Sequence, residues 1–124
     1  MNVVDSSGWL EYFTDGPNAA SFAKPIEATA KLIVPTLSIF EVFKRVMTQR
    51  GEDVALEAAA LMRQGRVVPL DDALALEAAR LSVAHRLPMA DSIILATALA
   101  HRATLWTQDA DFENLAGVRY VPKR

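Results

Sequence analysis

The chain has 124 residues, 52% of them hydrophobic and 23% charged, with a formal net charge of −2. This is the composition of one globular domain; it excludes a disordered chain and leaves no room for two ordinary domains. The lack of cysteine excludes disulfides, thiolate nucleophiles, cysteine–zinc sites and iron–sulfur clusters, and the slightly acidic balance is not the basic footprint of a passive nucleic-acid binder.

Asn2–Asp5 reads as a short strand. Ser6 and Ser7 are good N-caps for a short helix over Gly8–Phe13. Asp15-Gly16-Pro17-Asn18 is turn chemistry. Residues 17–30 are alanine-rich and helical in character, with Pro25 expected to force a break or a fresh start. Lys31–Val34 is a second strand, closed by Pro35. Helices are predicted over Thr36–Arg50, ending at Gly51, and over Glu52–Gln64, ending at Gly65. Arg66–Leu70 is a third strand. Asp71 or Asp72 then caps a helix running to about Arg86, and Pro88 opens the next, with Asp91 in its first turns. The stretch Met89–Ala100 contains that aspartate and is too short to cross a bilayer, so it reads as a buried helix and no membrane association is expected. No basic stretch precedes an apolar one near Met1, so no signal peptide is expected; a cytoplasmic location fits the absence of cysteine. Ala103–Thr107 is a fourth strand, Asp109–Leu115 a loop or short helical turn, and Val118–Val121 a fifth strand at an edge.

Strands and helices alternate throughout. That order predicts an α/β fold, a single domain over residues 1–124 with a central, mainly parallel sheet of four to five strands flanked by helices. In such folds ligands bind outside the carboxyl ends of the strands. Asp5 ends the first strand, Asp109 follows the fourth, and Glu41 lies in the helix leaving the second. Asp91 begins a helix that leads directly back into the fourth strand, which places it at the same edge. The four acids are therefore expected on one rim.

Each acid also has a local explanation. Asp5 is well placed to cap the first helix. Ser38-x-x-Glu41 has the spacing of a capping box, and Glu41 shares a helix face with Lys44, Arg45 and Thr48. Loop placement accounts for Asp109 and Asp111, the latter as the cap of a short turn before Phe112. Asp91 resists such an account, because Met89, Ala90, Ile93, Ile94, Leu95, Ala96, Ala98, Leu99 and Ala100 make its helix apolar nearly all round. If the acids converge, their repulsion calls for a cation held by oxygen ligands.

The segments VVDSSGWLEYF, LPMADSIILATA and TLWTQDADF, with a glutamate in the helix after the second strand, resemble the motifs of PIN-domain ribonucleases, and most closely the VapC-type toxins of bacterial toxin–antitoxin pairs. The resemblance runs from Asp5 to Phe112. It implies a catalytic, metal-binding quartet of Asp5, Glu41, Asp91 and Asp109, supported by Ser7, Thr107 and Asp111. It also implies Mg²⁺ or Mn²⁺ as cofactor, hydrolysis of RNA phosphodiesters to a 5′-phosphate and a 3′-hydroxyl, a VapB-like antitoxin partner and a homodimer. Lys44, Arg45, Arg86 and Arg102 are the candidates for RNA phosphate contacts, while Trp9, Tyr12 and Trp106 read as packing residues before base-stacking ones. The apolar excess of Ile39, Phe40, Val42, Phe43, Val46 and Met47 suits either an interface or a thick core.

His85 and His101 fall at helix C-termini, where they suit the dipole better than catalysis. An aspartyl-phosphate phosphatase needs a second acid where Ser7 stands and a conveniently placed lysine after a later strand, and a receiver domain needs an acidic pair near the first strand with such a lysine; neither set is found. The reading from another class is a PIN-like module that binds RNA or protein without cleaving.

Overall fold

The computed structural model describes residues 1–124. Five strands, β1 (Asn2–Val4), β2 (Leu32–Pro35), β3 (Arg66–Val68), β4 (Thr104–Thr107) and β5 (Val118–Tyr120), form one sheet in the order β3-β2-β1-β4-β5. Every neighbouring pair is parallel. Six α-helices connect them: α1 (Ser6–Phe13), α2 (Ala19–Glu27), α3 (Thr36–Arg50), α4 (Glu52–Met62), α5 (Asp72–His85) and α6 (Met89–Ala100). No helix is long and apolar enough to cross a membrane.

Strand periodicity divides the core in two, because successive side chains point to opposite faces of a sheet. Val3 and Ile33 face one cluster with Leu74, Ala78, Ile94 and Leu105, under α5 and α6. Val4, Leu32 and Val34 face the other with Trp9, Phe22, Val42 and Met62, under α1 to α4. Strands buried on both faces read as unbroken apolar runs, which is why VVD and LIVP were visible as strands. Gly8 allows α1 to lie close on this second layer: a Cβ there would come within 2.7 Å of the Val4 and Phe22 side chains.

The order reverses direction at β1, whose two neighbours are β2 and β4. At such a reversal the connections leave to opposite faces and open a crevice at the carboxyl edge. The register pairs Val4 with Trp106, and the Asp5 amide donates to the Trp106 carbonyl at 3.1 Å. Asp5 and Thr107 thus emerge side by side into that crevice.

Three local expectations are corrected. Asp5 is not a strand residue but the N-cap of α1, so Ser6 and Ser7 lie inside the helix. Pro25 does not break α2; it is buried two residues before the helix ends, where it forfeits one amide hydrogen bond in exchange for packing. The third strand stops at Val68, short of Leu70.

Candidate metal centre

The four acids expected on one rim do meet. Asp5, Glu41, Asp91 and Asp109 line a single cavity of about 440 Å³ together with Ser6, Ser7, Lys44 and Arg45. The elements that deliver them are the ends of β1 and β4 and the first turns of α3 and α6.

Asp5 is buried, with 3% of its surface exposed. One oxygen, Oδ1, accepts from the Gly8 amide at 2.9 Å and from the Ser7 hydroxyl at 2.8 Å. The other, Oδ2, accepts from the buried Thr107 hydroxyl at 2.6 Å. Capping and pocket placement are therefore not alternatives for this residue. Burial pushes its carboxyl up to about 6 even though these three donors pull it down, and Asp109 adds a further upward push. The Ser7 hydroxyl occupies the place where the aspartyl-phosphate chemistries want a second acid.

Asp91 sits half-buried in the first turn of α6, whose middle, residues 92–98, is buried while its two ends, with Met89 and Leu99, are exposed. Burial raises its carboxyl to about 7, followed by the charges of Asp109, Asp5, Asp111 and Glu41. Those four neighbours are the evidence of convergence, since like charges raise a pKa only at short range.

Asp109 caps the short 3-10 turn Ala110–Phe112 by accepting from the Asp111 amide at 2.9 Å, and its own amide donates to Thr107 Oγ1 at 2.9 Å. The Thr107 hydroxyl is thus the hinge of the site, donating to one acid and accepting from the backbone of the next. The expectation that Asp111 caps this turn is reversed: Asp109 does, and Asp111 is one of three residues (Asp91, Asp109, Asp111) whose carboxylate oxygens lie within 4.8 Å of one another. Asp5 and Glu41 stand outside that closest group. Because Asp109 and Asp111 are two apart on a tight turn, both reach Asp91; the D-x-D spacing was the available signal.

Glu41 accepts from the Ser6 hydroxyl at 2.6 Å. The capping box is not formed, because the N-cap of α3 is Pro35 rather than Ser38 and there is no side-chain cap; Ser38 Oγ is buried without a partner. Ser6 had been read only as a helix cap, and nothing in its spacing points to Glu41, 35 residues away.

The cationic candidates divide. Lys44 and Arg45 line the cavity. Arg86 is the left-handed C-cap of α5 and is exposed outside the cavity. Arg102 follows the far end of α6, whose last residue Ala100 stands about 13.5 Å along the axis from Asp91 at 1.5 Å per residue. His101 lies at that same end, its Nδ1 bonded to the Thr97 carbonyl at 2.9 Å, and His85 closes α5. Trp9 is fully buried in the core. Tyr12 donates to Glu27, and Trp106 donates to Asn2 at 2.9 Å.

An acidic crevice at the reversal point of a parallel α/β sheet, where four carboxylates line one cavity and none is ion-paired to the Lys44 and Arg45 beside them, offers the oxygen donors that a hard divalent cation takes. The protein's only ion pair, Arg80–Glu77, lies elsewhere. The absence of histidine and cysteine from the donor set removes the usual zinc ligands.

A family model described as the PIN domain matches residues 3–118, and the chain belongs to the PIN-domain family. Among solved structures it is similar to a toxin–antitoxin complex from Klebsiella pneumoniae (21% identity, 100% of both chains, TM-score 0.83). It is also similar to VapC20 of Mycobacterium tuberculosis, described as a sarcin-ricin loop cleaving toxin (16% identity, 90% of this chain and 92% of that one, TM-score 0.74). A third is a DNA-bound VapBC from Salmonella typhimurium (12% identity, 98% and 96%, TM-score 0.75). At these identities the likeness is one of fold. No functionally curated protein matches the chain in sequence.

Proposed function

We propose that the protein is a metal-dependent endoribonuclease and the toxin of a toxin–antitoxin pair. The observation that carries this reading is geometric: Asp5, Glu41, Asp91 and Asp109 line one cavity, the carboxylate oxygens of Asp91, Asp109 and Asp111 lie within 4.8 Å of one another, and none of these acids has an ion-pair partner. A binding module gains nothing from such a cluster facing phosphates, whereas a nuclease needs it. VapC and VapBC structures with the same fold supply the toxin and antitoxin context.

Asp91, Asp109 and Asp111 would hold a Mg²⁺ or Mn²⁺ ion, with Asp5 and Glu41 completing the acidic wall. Such an ion supplies Lewis acidity toward a phosphoryl oxygen and lowers the pKa of water toward neutrality. The chain's own groups do the rest. Thr107 and Ser7 orient Asp5, Ser6 orients Glu41, and Lys44 and Arg45 meet the phosphates beside the scissile bond. Hydrolysis then yields a 5′-phosphate and a 3′-hydroxyl, with no histidine needed as base and no covalent intermediate. A VapB-like antitoxin is the expected partner and a homodimer the expected assembly, in a cytoplasmic setting where RNA is accessible.

The test is cleavage of total RNA by purified protein with Mn²⁺, with EDTA, and as Asp5→Ala and Asp91→Asn. Cleavage in the first case alone, with circular dichroism unchanged, is the expected result. Undiminished cleavage by the double variant contradicts the reading.

A further inference from the structure

One wall of the acid cavity is a single face of α3. Phe40, Glu41, Lys44, Arg45 and Thr48 all line it, at the three- and four-residue spacings that put helical side chains side by side. Phe40 is 61% exposed, although Val42 on the same helix is fully buried. The Lys44 ammonium lies 5.8 Å from the Phe40 ring centroid. A second cavity of about 300 Å³ shares Ser7, Leu10 and Arg45 with the first and carries Gln49, Gln108 and Lys123 on its far side, together with Glu11, whose carboxylate accepts from the Asn18 amide at 2.7 Å and from Gln108 Nε2 at 3.4 Å. The two form one continuous groove that passes over the acids.

Its far end is anchored. The Pro122 carbonyl, next to Lys123, accepts from buried Asn18 Nδ2 at 2.9 Å, and the same nitrogen donates to Gln108 Oε1 at 3.1 Å. The cations of the groove also lack carboxylate partners. Arg45 stands four residues after Glu41, a spacing that commonly pairs, yet Glu41 is taken by Ser6 and neither Lys44, Arg45 nor Lys123 forms an ion pair.

We propose that this groove carries two substrate subsites flanking the acids: a nucleobase stacks on Phe40 on one side, and a backbone phosphate is held between Arg45 and Lys123 on the other. The inference rests on the nuclease reading and adds residues that the acid cluster does not involve. The occupant that fits is an unpaired nucleic-acid strand. An aromatic face beside cations accepts any base by stacking, and free cations take phosphates. A base inside a duplex is already stacked on both faces and does not reach Phe40. An apolar peptide would cover Phe40 but leave Arg45 and Lys123 shielded from water without a counter-charge.

The test measures the anisotropy of a labelled single-stranded RNA octamer, and of its duplex, with Asp91→Asn protein, which keeps the strand intact. Adding Phe40→Ala should weaken strand binding about 5- to 100-fold, and Phe40→Trp should restore it. Lys123→Gln should weaken it less and reduce the slope of log affinity against log salt by about 0.7. Duplex binding should be weak and insensitive to Phe40. Unchanged strand affinity in Phe40→Ala overturns the proposal, and so does a duplex bound as tightly as the strand. A Phe40→Ala effect confined to sedimentation also overturns it and assigns the ring to a protein contact. Cleavage by the wild type with Mn²⁺, measured alongside, separates the two readings. No cleavage with Phe40-dependent binding removes the nuclease and keeps the subsites; cleavage without that dependence does the reverse.

Discussion

Two helices of this protein begin in the same way and end up with different tasks. Asp5 caps α1 by accepting from the Gly8 amide at 2.9 Å; Asp71 caps α5 by accepting from the Leu74 amide at 2.8 Å. Residue type, spacing and cap geometry agree. Asp71, however, is exposed and has no further side-chain partner, whereas Asp5 is buried and engaged by Ser7 and Thr107 within the field of Asp109. The difference is the strand each helix leaves. α5 follows β3 at the sheet's outer edge, and α1 follows β1 beside β4, where the order reverses. Place in the sheet, and not local motif, turns a helix cap into part of the acidic cavity.

Exchanging the two aspartates gives the widest contrast. Asp5→Asn keeps much of the cap and should still lower RNA cleavage by about 100- to 1000-fold, the scale on which loss of one transition-state-stabilising group is felt. Asp71→Ala should cost about 1 kcal/mol of stability in urea denaturation and leave cleavage unchanged. Equal effects on activity would erase the distinction. Thr107→Val comes next. It removes the hydroxyl that ties Asp5 to the Asp109 backbone and should weaken Mn²⁺ binding about 10- to 100-fold, as loss of an orienting partner does; unchanged affinity would show that the acids hold their places unaided.

A smaller effect concerns pH. In the metal-free protein Asp5 titrates near 6 and Asp91 near 7, both above their ordinary 3.8. The folded chain then holds protons that the unfolded chain has released. The stability they contribute is full below the ordinary value and is lost as pH rises through 6 and 7. In EDTA the melting temperature should fall from about pH 5 to about pH 8, and Asp91→Asn should flatten that fall and raise the value at the upper pH. A variant less stable than wild type there would contradict a site held under mutual repulsion. The smallest effect expected is none: Arg102→Ala, altered at the opposite end of α6 from Asp91, should cleave RNA as the wild type does.

The fold was largely legible because its central strands β1 and β2 are buried on both faces and its helices are punctuated by Gly51, Gly65 and Pro88. The convergence of Asp5, Glu41, Asp91 and Asp109 was legible too, since strand ends and helix starts of a parallel sheet share an edge. What stayed hidden depends on contacts between distant segments. Ser6 meets Glu41 only once α1 packs beside α3, and Asn18 meets Gln108 across 90 residues. Asp111, expected only in support, joins Asp91 and Asp109 in the closest group because a 3-10 turn tightens the D-x-D segment. Charge marks Arg102 as a candidate phosphate contact, but α6 carries it to the edge opposite Asp91.

The account stands or falls on whether the clustered carboxylates bind a divalent ion, and calorimetric titration of Mn²⁺ into wild-type and Asp91→Asn protein at neutral pH measures this directly. Saturable binding by the wild type that is lost in the variant, with a matching rise in melting temperature for the wild type alone, is the predicted result. No heat of binding in either protein, or the same isotherm in both, would contradict it.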